Sequence, residues 1–367
     1  MATAEQAGAI LTIDLAAIVE NWRFLAARSH PATCTAVVKA NAYGLGILPV
    51  ARALHRAGCR GFFVSSLDEA IELRGALADG AATIWIFNPP YGAEDEIANG
   101  GFVPCLSRAD DVERWLGFGR TKGPRRVAIK IDTGMARLGL PGDEFERVVA
   151  LGPALAGLGL DLVMSHLACA DEPANPMNRL QLTRFTAARA RLPRARASLA
   201  NSAGIFLGPD YHLDLVRAGA ALYGLAPHAA AANPMRQAVR LDGRILQVRD
   251  VDAGGTVGYG ATHRVNRRCR LATVAVGYAD GYLRSLSNRG AAYVGDVRVP
   301  LVGRVSMDLV TFDVTEAPAA LVHPGAYVEL LGPNVTPDAL ATLAGTIGYE
   351  ILTGLGRRYH RVYQGDA

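Results

Sequence analysis

Between about residues 34 and 217, short apolar runs alternate with stretches of amphipathic spacing. The runs are CTAVVK (34–39), GFFVSS (61–66), TIWIF (83–87), GFVPCL (101–106), RVAIKID (126–132), DLVMSH (161–166), ASLAN (197–201) and LDLVR (213–217). Each is rich in β-branched or aromatic residues and predicts a short strand. The intervening segments carry helical spacing. Ile47, Val50, Ala51 and Leu54 fall at i, i+3, i+4 and i+7, with Gly58 placed as a C-terminal cap. Ser66-Leu-Asp-Glu69 reads as a capping box that opens the next helix. Eight strands, each expected to lead into a helix, predict a (β/α)8 barrel, which takes roughly 250 residues. A doubly wound sheet is the competing arrangement, but it usually needs fewer strands.

Beyond about residue 235 the pattern changes. GRILQVRD (243–250), RLATVAVGY (270–278), AAYVGDVRVP (291–300), DLVTFDV (308–314) and AYVELLG (326–332) are strand-like and separated by Gly and Asp turns. One helix is expected over 337–347, with Thr336 as N-cap and Pro337 in its first turn. The expected class is therefore α/β. A TIM-type barrel over residues 1–235 is followed by a mostly β domain over 236–367, with the first residues of the chain expected to pair with the β domain.

Composition narrows the function. Half of the 367 residues are hydrophobic and 20% are charged, so the chain can bury large cores and is not disordered. A net charge of +4, without a basic stripe, favours small anionic ligands and leaves no expectation of nucleic-acid binding. The five cysteines are widely spaced and lack a CxxC pair, so neither a disulfide framework nor a metal site is expected. The opening MATAEQAGAILTIDL lacks a basic segment, and the longest apolar run, 148–160, is broken by glycines and a proline. The expectation is a cytoplasmic protein without a membrane span.

In a barrel, chemistry gathers where the strands end. Those positions hold Lys39, Lys130 with Asp132, His166, Asn201 with Ser202, and Arg217. The loops NSAG and RAGA, each expected to lead into a helix start, suit a phosphate group. Lys39 closes an apolar strand, and a lysine desolvated in a barrel mouth loses proton affinity and becomes a Schiff-base nucleophile. On position alone, a lysine that reaches out to water is the plainer reading.

The surrounding motifs alter that balance. VVKANAYGLG (37–46) closely resembles the cofactor-lysine segment of alanine racemases. The likeness continues through KIDTGMARLG (130–139), SHLACAD (165–171), NSAG (201–204), VRAGAALYG (216–224), VGYGATH (257–263), VGYADGY (276–282), GRVSMD (303–308) and GYEILTGLG (348–356). Order and spacing both match. The resemblance implies pyridoxal 5'-phosphate as cofactor, alanine as substrate and a homodimer with shared sites. It implies Lys39 as the Schiff-base lysine and one catalytic base, with Tyr259 as the second. Tyr43, Tyr349, Asn201, Ser202, Gly219 and Ala220 would hold the cofactor, the tyrosines through its phosphate. His166 would lie beside the pyridine ring and Arg217 at its nitrogen. Arg137 would take the substrate carboxylate, Met307 would touch the substrate pocket, and Lys130 matches a lysine that is carbamylated in some relatives. Tyr259 and Met307 would reach the partner subunit's site, and D-alanine would supply peptidoglycan.

The chemistry is coherent with these roles. Racemisation needs a base on each face of the α-carbon, and free lysine and tyrosine titrate near 10.4 and 10, so both must be pulled toward neutral pH. Arg137 and Arg217 are expected to do so. A guanidinium stays protonated, so Arg217 leaves the pyridine nitrogen unprotonated, which weakens the electron sink and limits side reactions. Taken singly, His166 reads as a core histidine, Tyr259 as a turn aromatic, Arg137 as an ion-pair partner of Asp132, Met307 as core filler and Tyr349 as a helix-surface ring. Jointly the functional reading prevails. Ser306 and Leu309 stand where relatives often have cysteine and glutamine. Three rivals remain open: a serine racemase, a decarboxylase of basic amino acids, which would place an acid rather than Arg217 at the pyridine nitrogen, and a barrel that only binds the cofactor.

Overall fold

The computed structural model describes residues 3–77, 80–228 and 231–365; the expected outer domain limits, residues 1 and 367, fall outside them. The chain starts with β1 (Ala9–Asp14) and a helix over Leu15–Ser29, which Asp14 caps by accepting from the Ala17 amide at 2.9 Å. Then follow β2 (Thr33–Val37), β3 (Gly61–Val64), β4 (Thr83–Ile86), β5 (Val103–Leu106), β6 (Arg126–Lys130), β7 (Gly159–Met164), β8 (Arg196–Ser198) and β9 (Leu215–Ala218). All eight expected barrel strands are present. They run parallel in the order β8-β7-β6-β5-β4-β3-β2-β9. Backbone bonds from Asp214 N to Ala197 O (3.1 Å) and from Arg217 N to Ala200 O (3.0 Å) stitch the seam between β8 and β9. Strands β3, β5 and β9 are buried at every position, because side chains fill the barrel and helices cover its outside.

The helical layer departs from the expected eight-fold alternation. Helices over Ile47–Arg56, Leu67–Ala76, Glu94–Asn99, Ala109–Lys122, Gly142–Ala150 and Pro176–Arg189 follow β2 to β7. After β8 and β9 come only 3-10 turns, at Gly204–Phe206, Pro209–Tyr211 and Ala220–Tyr223. The expected helix starts at NSAG and RAGA are therefore absent. Gly208 at φ 115°, followed by Pro209, breaks the first segment, and left-handed Gly224 at φ 88° ends the second after one turn. The Leu15–Ser29 helix covers the barrel there. Its buried Asn21 donates to the carbonyls of Leu222 (3.0 Å) and Arg236 (2.8 Å) and accepts from the Arg236 amide at 2.8 Å.

The second sheet is built on one long strand, β10 (Val239–Val251). It is followed by β11 (Thr256–Val257), β12 (His263–Arg264), β13 (Cys269–Val274), β14 (Ala291–Val294), β15 (Val297–Pro300), β16 (Val310–Asp313), β17 (Tyr327–Leu331) and β18 (His360–Gln364). AAYVGDVRVP forms a hairpin rather than one strand, turning at Gly295 with φ 57°. The helix expected over 337–347 spans Pro337–Ala344, its N-terminus capped by Thr336 Oγ1, which accepts from the Ala339 amide at 3.1 Å. A further helix, Gly348–Thr353, carries Tyr349, which the sequence reading placed on a helix surface without giving that helix bounds. β10 pairs antiparallel with β1, β13 and β17, and β1 pairs parallel with β18. The first and last described strands thus lie in one sheet.

The Asn21 contact yields a direct expectation. Asn21→Ala leaves three backbone partners at the domain junction unsatisfied, and each buried unpaired group costs about 1–3 kcal/mol. A loss of at least about 3 kcal/mol in urea unfolding is expected.

Candidate active site

The strand β2 delivers Lys39 to the barrel mouth, and the backbone then makes an unusual turn. Ala40, Asn41, Ala42 and Tyr43 all hold φ between 52° and 55°, a left-handed turn built from residues with a Cβ. Such residues cost about 1–2 kcal/mol each in this region, so the surroundings must enforce it. Internal bonds run from Ala42 N to Val38 O and from Gly44 N to Ala40 O, both 2.8 Å, and Asn41 Oδ1 accepts from Ile47 N at 2.8 Å. The β domain closes the far end. Arg361 Nη1 donates to Gly44 O at 2.6 Å and Tyr363 Oη to Leu45 O at 3.0 Å. A Cβ on Gly44 would stand 2.3 Å from Leu352 O, so that position requires glycine.

Lys39 opens into a cavity of about 430 Å³ lined also by Tyr43, Phe87, Arg137, His166, Asn201, Ser202, Arg217, Gly219, Ala220 and Tyr349. At one end is a cradle of donors. Ser202 Oγ accepts from the amides of Gly219 (2.8 Å) and Ala221 (3.3 Å), which leaves its own proton to donate outward. A Cβ on Gly219 would lie 2.7 Å from Tyr43 Oη, so glycine keeps open the space beside that hydroxyl. The Tyr43 and Tyr349 rings lie 6.0 Å apart, and burial raises the proton affinity of both, so they remain donors. Asn201 Oδ1 accepts from Gly204 N at 2.9 Å and fixes the preceding loop.

Across the cavity, Arg217 is fully buried and held on four sides. It donates to Ser198 Oγ (2.6 Å), Ser165 O (2.7 Å), Leu199 O (3.2 Å) and His166 Nδ1 (3.3 Å). Burial draws its pKa down to about 10, which leaves it cationic at neutral pH. His166 is driven well below the usual imidazole range by burial first and then by Arg217, Lys130, Arg137 and Lys39, so the ring is neutral. Gln181 fixes its backbone, donating to His166 O at 2.8 Å.

Burial is also the first cause that lowers Lys39; Arg137 adds to it, and Glu69 opposes it. The effect expected from Arg217 falls on His166 and Lys130 rather than on Lys39. Lys130 is buried behind the cavity wall and brought down to about 8, chiefly by burial, with Cys105 opposing and Arg217, Arg137 and Lys39 reinforcing. Asp132 does not pair with Arg137; its carboxylate accepts from the amides of Gly134 (2.8 Å) and Met135 (2.9 Å) and shapes the loop on which Arg137 stands. Among the described residues no carboxylate lines the cavity. The site therefore favours an anion at the Ser202 end and a second at Arg137.

Tyr259 and Met307 are not brought to this cavity. They lie on the β domain with 72% and 54% of their surface exposed, and Tyr259 lines a separate groove with Arg304, Ser306 and Leu309. Phe87, Gln181 and Glu69 were not singled out from the sequence as site residues. Phe87 closes the TIWIF run, where its ring centre lies 5.7 Å from Lys39 Nζ, so its place at a strand end was the available signal. Gln181 lies mid-helix and carries no such signal.

The N-terminal domain family of alanine racemases matches residues 13–227 and the C-terminal domain family matches residues 238–363. An alanine racemase of Rhodospirillum rubrum is 50% identical over 363 residues, covering 98% of this chain and 97% of that protein. Among solved structures, an alanine racemase from Bartonella henselae with covalently bound pyridoxal phosphate superposes with a TM-score of 0.94 at 40% identity, over 98% of this chain and 100% of that one. The biosynthetic alanine racemase of Pseudomonas aeruginosa gives 0.91 at 35% identity, covering 98% and 100%. With both domains matched, and with relatives this similar over nearly the whole length, the chain belongs to the alanine racemase family.

Proposed function

We propose that this chain is a pyridoxal-phosphate-dependent racemase that interconverts L- and D-alanine and supplies D-alanine for peptidoglycan. The observation that carries this reading is a single cavity in which a half-buried lysine faces a donor cradle of phosphate size and a buried arginine. The residues present fit the cofactor. Ser202, Tyr43, Tyr349, Gly219 and Ala220 would hold its phosphate, Asn201 would order the adjoining loop, His166 would lie beside its ring and Arg217 at its nitrogen. Lys39 would hold it covalently. When bound to the substrate amine, the cofactor draws electrons from the α-carbon and makes its proton removable.

The protein's own residues do the rest. Arg137, free of Asp132, takes the substrate carboxylate and orients the α-carbon toward Lys39. Lys39, depleted of proton affinity by burial and by Arg137, accepts or returns a proton at Nζ. Arg217 stays cationic and so gives no proton-accepting partner to the pyridine nitrogen, unlike the acid expected of a decarboxylase. A second base must serve the opposite face. Tyr259 fills that role from a second copy, with Met307 beside the substrate; their exposure on an apolar β-domain surface that also bears Tyr278 and Leu309 supports a homodimer. Unpaired cysteines throughout support a cytoplasmic location.

Proton NMR of the protein with pyridoxal phosphate and L-alanine in deuterated water tests the whole reading. Loss of the α-proton signal together with formation of D-alanine is expected; an unchanged spectrum overturns it. Tyr259→Phe is expected to cut α-proton removal from L-alanine by at least about 100-fold, as for other general bases, while exchange from D-alanine through Lys39 persists. Equal exchange of both enantiomers refutes the two-base assignment.

Lys130 gives a pH test. Its folded pKa of about 8 lies below the ordinary lysine value, so the native state binds fewer protons than the unfolded state between those limits. The penalty is complete below pH 8 and fades as pH rises above it. In buffer free of carbon dioxide, Lys130→Met is therefore expected to be more stable than the parent near neutrality, with the advantage shrinking toward pH 10. A partly neutral buried amine also suits carbamylation, which intact mass after equilibration with bicarbonate would reveal as one added carbon dioxide.

A further inference from the structure

The capping box expected at Ser66–Glu69 forms only by half. Ser66 Oγ accepts from the Glu69 amide at 3.4 Å, but the Glu69 carboxylate does not return to the N-cap amide. Oε2 accepts from Ser65 N at 2.7 Å, and Oε1 crosses to the next strand end and accepts from Ala40 N at 2.6 Å. Ala40 immediately follows Lys39 and is the first residue of the left-handed turn. The carboxylate thus spans the ends of β2 and β3. Around it, Val38 N donates to Phe63 O at 2.9 Å, and Asn88 Nδ2 donates to Ser65 Oγ at 3.0 Å, so the clamp is continuous with the wall that carries Phe87.

We propose that Glu69 is a positioning residue, whose carboxylate holds the Ala40 amide and thereby fixes the turn that aims Lys39 into the cavity. Two features single it out. It is a charged acceptor on the entry side of a turn that its own residues disfavour, whereas Arg361 and Tyr363 act on the exit side. It is also the acid that counters the loss of proton affinity at Lys39, which burial and then Arg137 produce, while Lys130 and the neutral His166 lie deeper in the barrel. The catalytic consequence rests on the proposed racemase function; the geometric one does not.

The test is Glu69→Gln, which keeps the shape but replaces one acceptor oxygen by a donor that cannot take an N–H bond. In the full chain freed of cofactor, competitive acetylation of Lys39, read by peptide mass across neutral to alkaline pH, is expected to shift its midpoint down by about half a unit or more, because a neighbouring negative charge is lost. In the cofactor-loaded protein, kcat for alanine is expected to fall about 10-fold with KM changed less than about 2-fold. Adding Ala40→Gly, which removes the Cβ penalty at positive φ, is expected to recover at least about 3-fold of the lost rate.

An unchanged midpoint with kcat within about 2-fold of the parent overturns the proposal, and so does a loss of rate with an unchanged midpoint and no rescue, which marks a merely structural contact. Should Glu69→Gln fail to fold, Glu69→Asp keeps the charge but is too short to reach both amides. Its labelling midpoint is then expected to stay while kcat falls, and parent-like kcat overturns the proposal. If the protein does not racemise alanine, the acetylation midpoint alone still decides the clamp.

Discussion

The site depends on a backbone conformation that its own residues disfavour. Four consecutive residues with a Cβ are held left-handed immediately after Lys39, and no local preference of Ala40, Asn41, Ala42 or Tyr43 accounts for it. The turn persists because two separate parts of the chain grip it: Glu69 from the barrel, and Arg361 and Tyr363 from the β domain. Strain of this kind survives only where the surroundings over-determine it. Here the same grip that orients the lysine also couples the two domains, and Tyr43, the last residue of the turn, is carried directly onto the cradle beside Gly219.

The electrostatics follow from that placement. Lys39, Lys130, Arg137 and Arg217 share one end of the barrel, and among the described residues no carboxylate lines the cavity. Burial lowers the proton affinity of Lys39 and Lys130, and the neighbouring cations add to it. Lys130 is brought down to about 8, and His166 is held neutral by burial and then by the same cations. Arg217 is tolerated at full burial because Ser198, Ser165, Leu199 and His166 satisfy its donors. An anionic ligand would relieve this accumulation of positive charge, so the site is electrostatically incomplete without one.

Much of this was legible in the sequence, for identifiable reasons. The barrel strands were read correctly because strands buried on both faces appear as continuous apolar runs. The helices after β8 and β9 were not, because the periodicity of NSAGIF and GAALYG does not show that Gly208, Pro209 and Gly224 stop each one after a single turn. The pairing of the first residues with the β domain was expected and β1 makes it, but β18 escaped notice, since its partner lies at the other end of the chain and leaves no local pattern. Motif order singled out most of the polar residues that line the cavity, though not Phe87. It could not reveal that Glu69 leaves its capping box for Ala40, or that Gln181 holds His166, because both contacts are made across the fold.

The parallel pairing of β1 with β18 has a consequence for the order of assembly. Strand β1 finds one neighbour in β10 and the other only in β18, the final strand described. Arg361 and Tyr363, which brace the Lys39 turn, belong to that same last strand. The exit-side brace of the Lys39 turn can therefore form only once residues 360–364 have been made, whereas Glu69, within the barrel, can act before them. Bracing of the turn from the β domain and completion of the β1–β18 pair thus depend on one and the same strand.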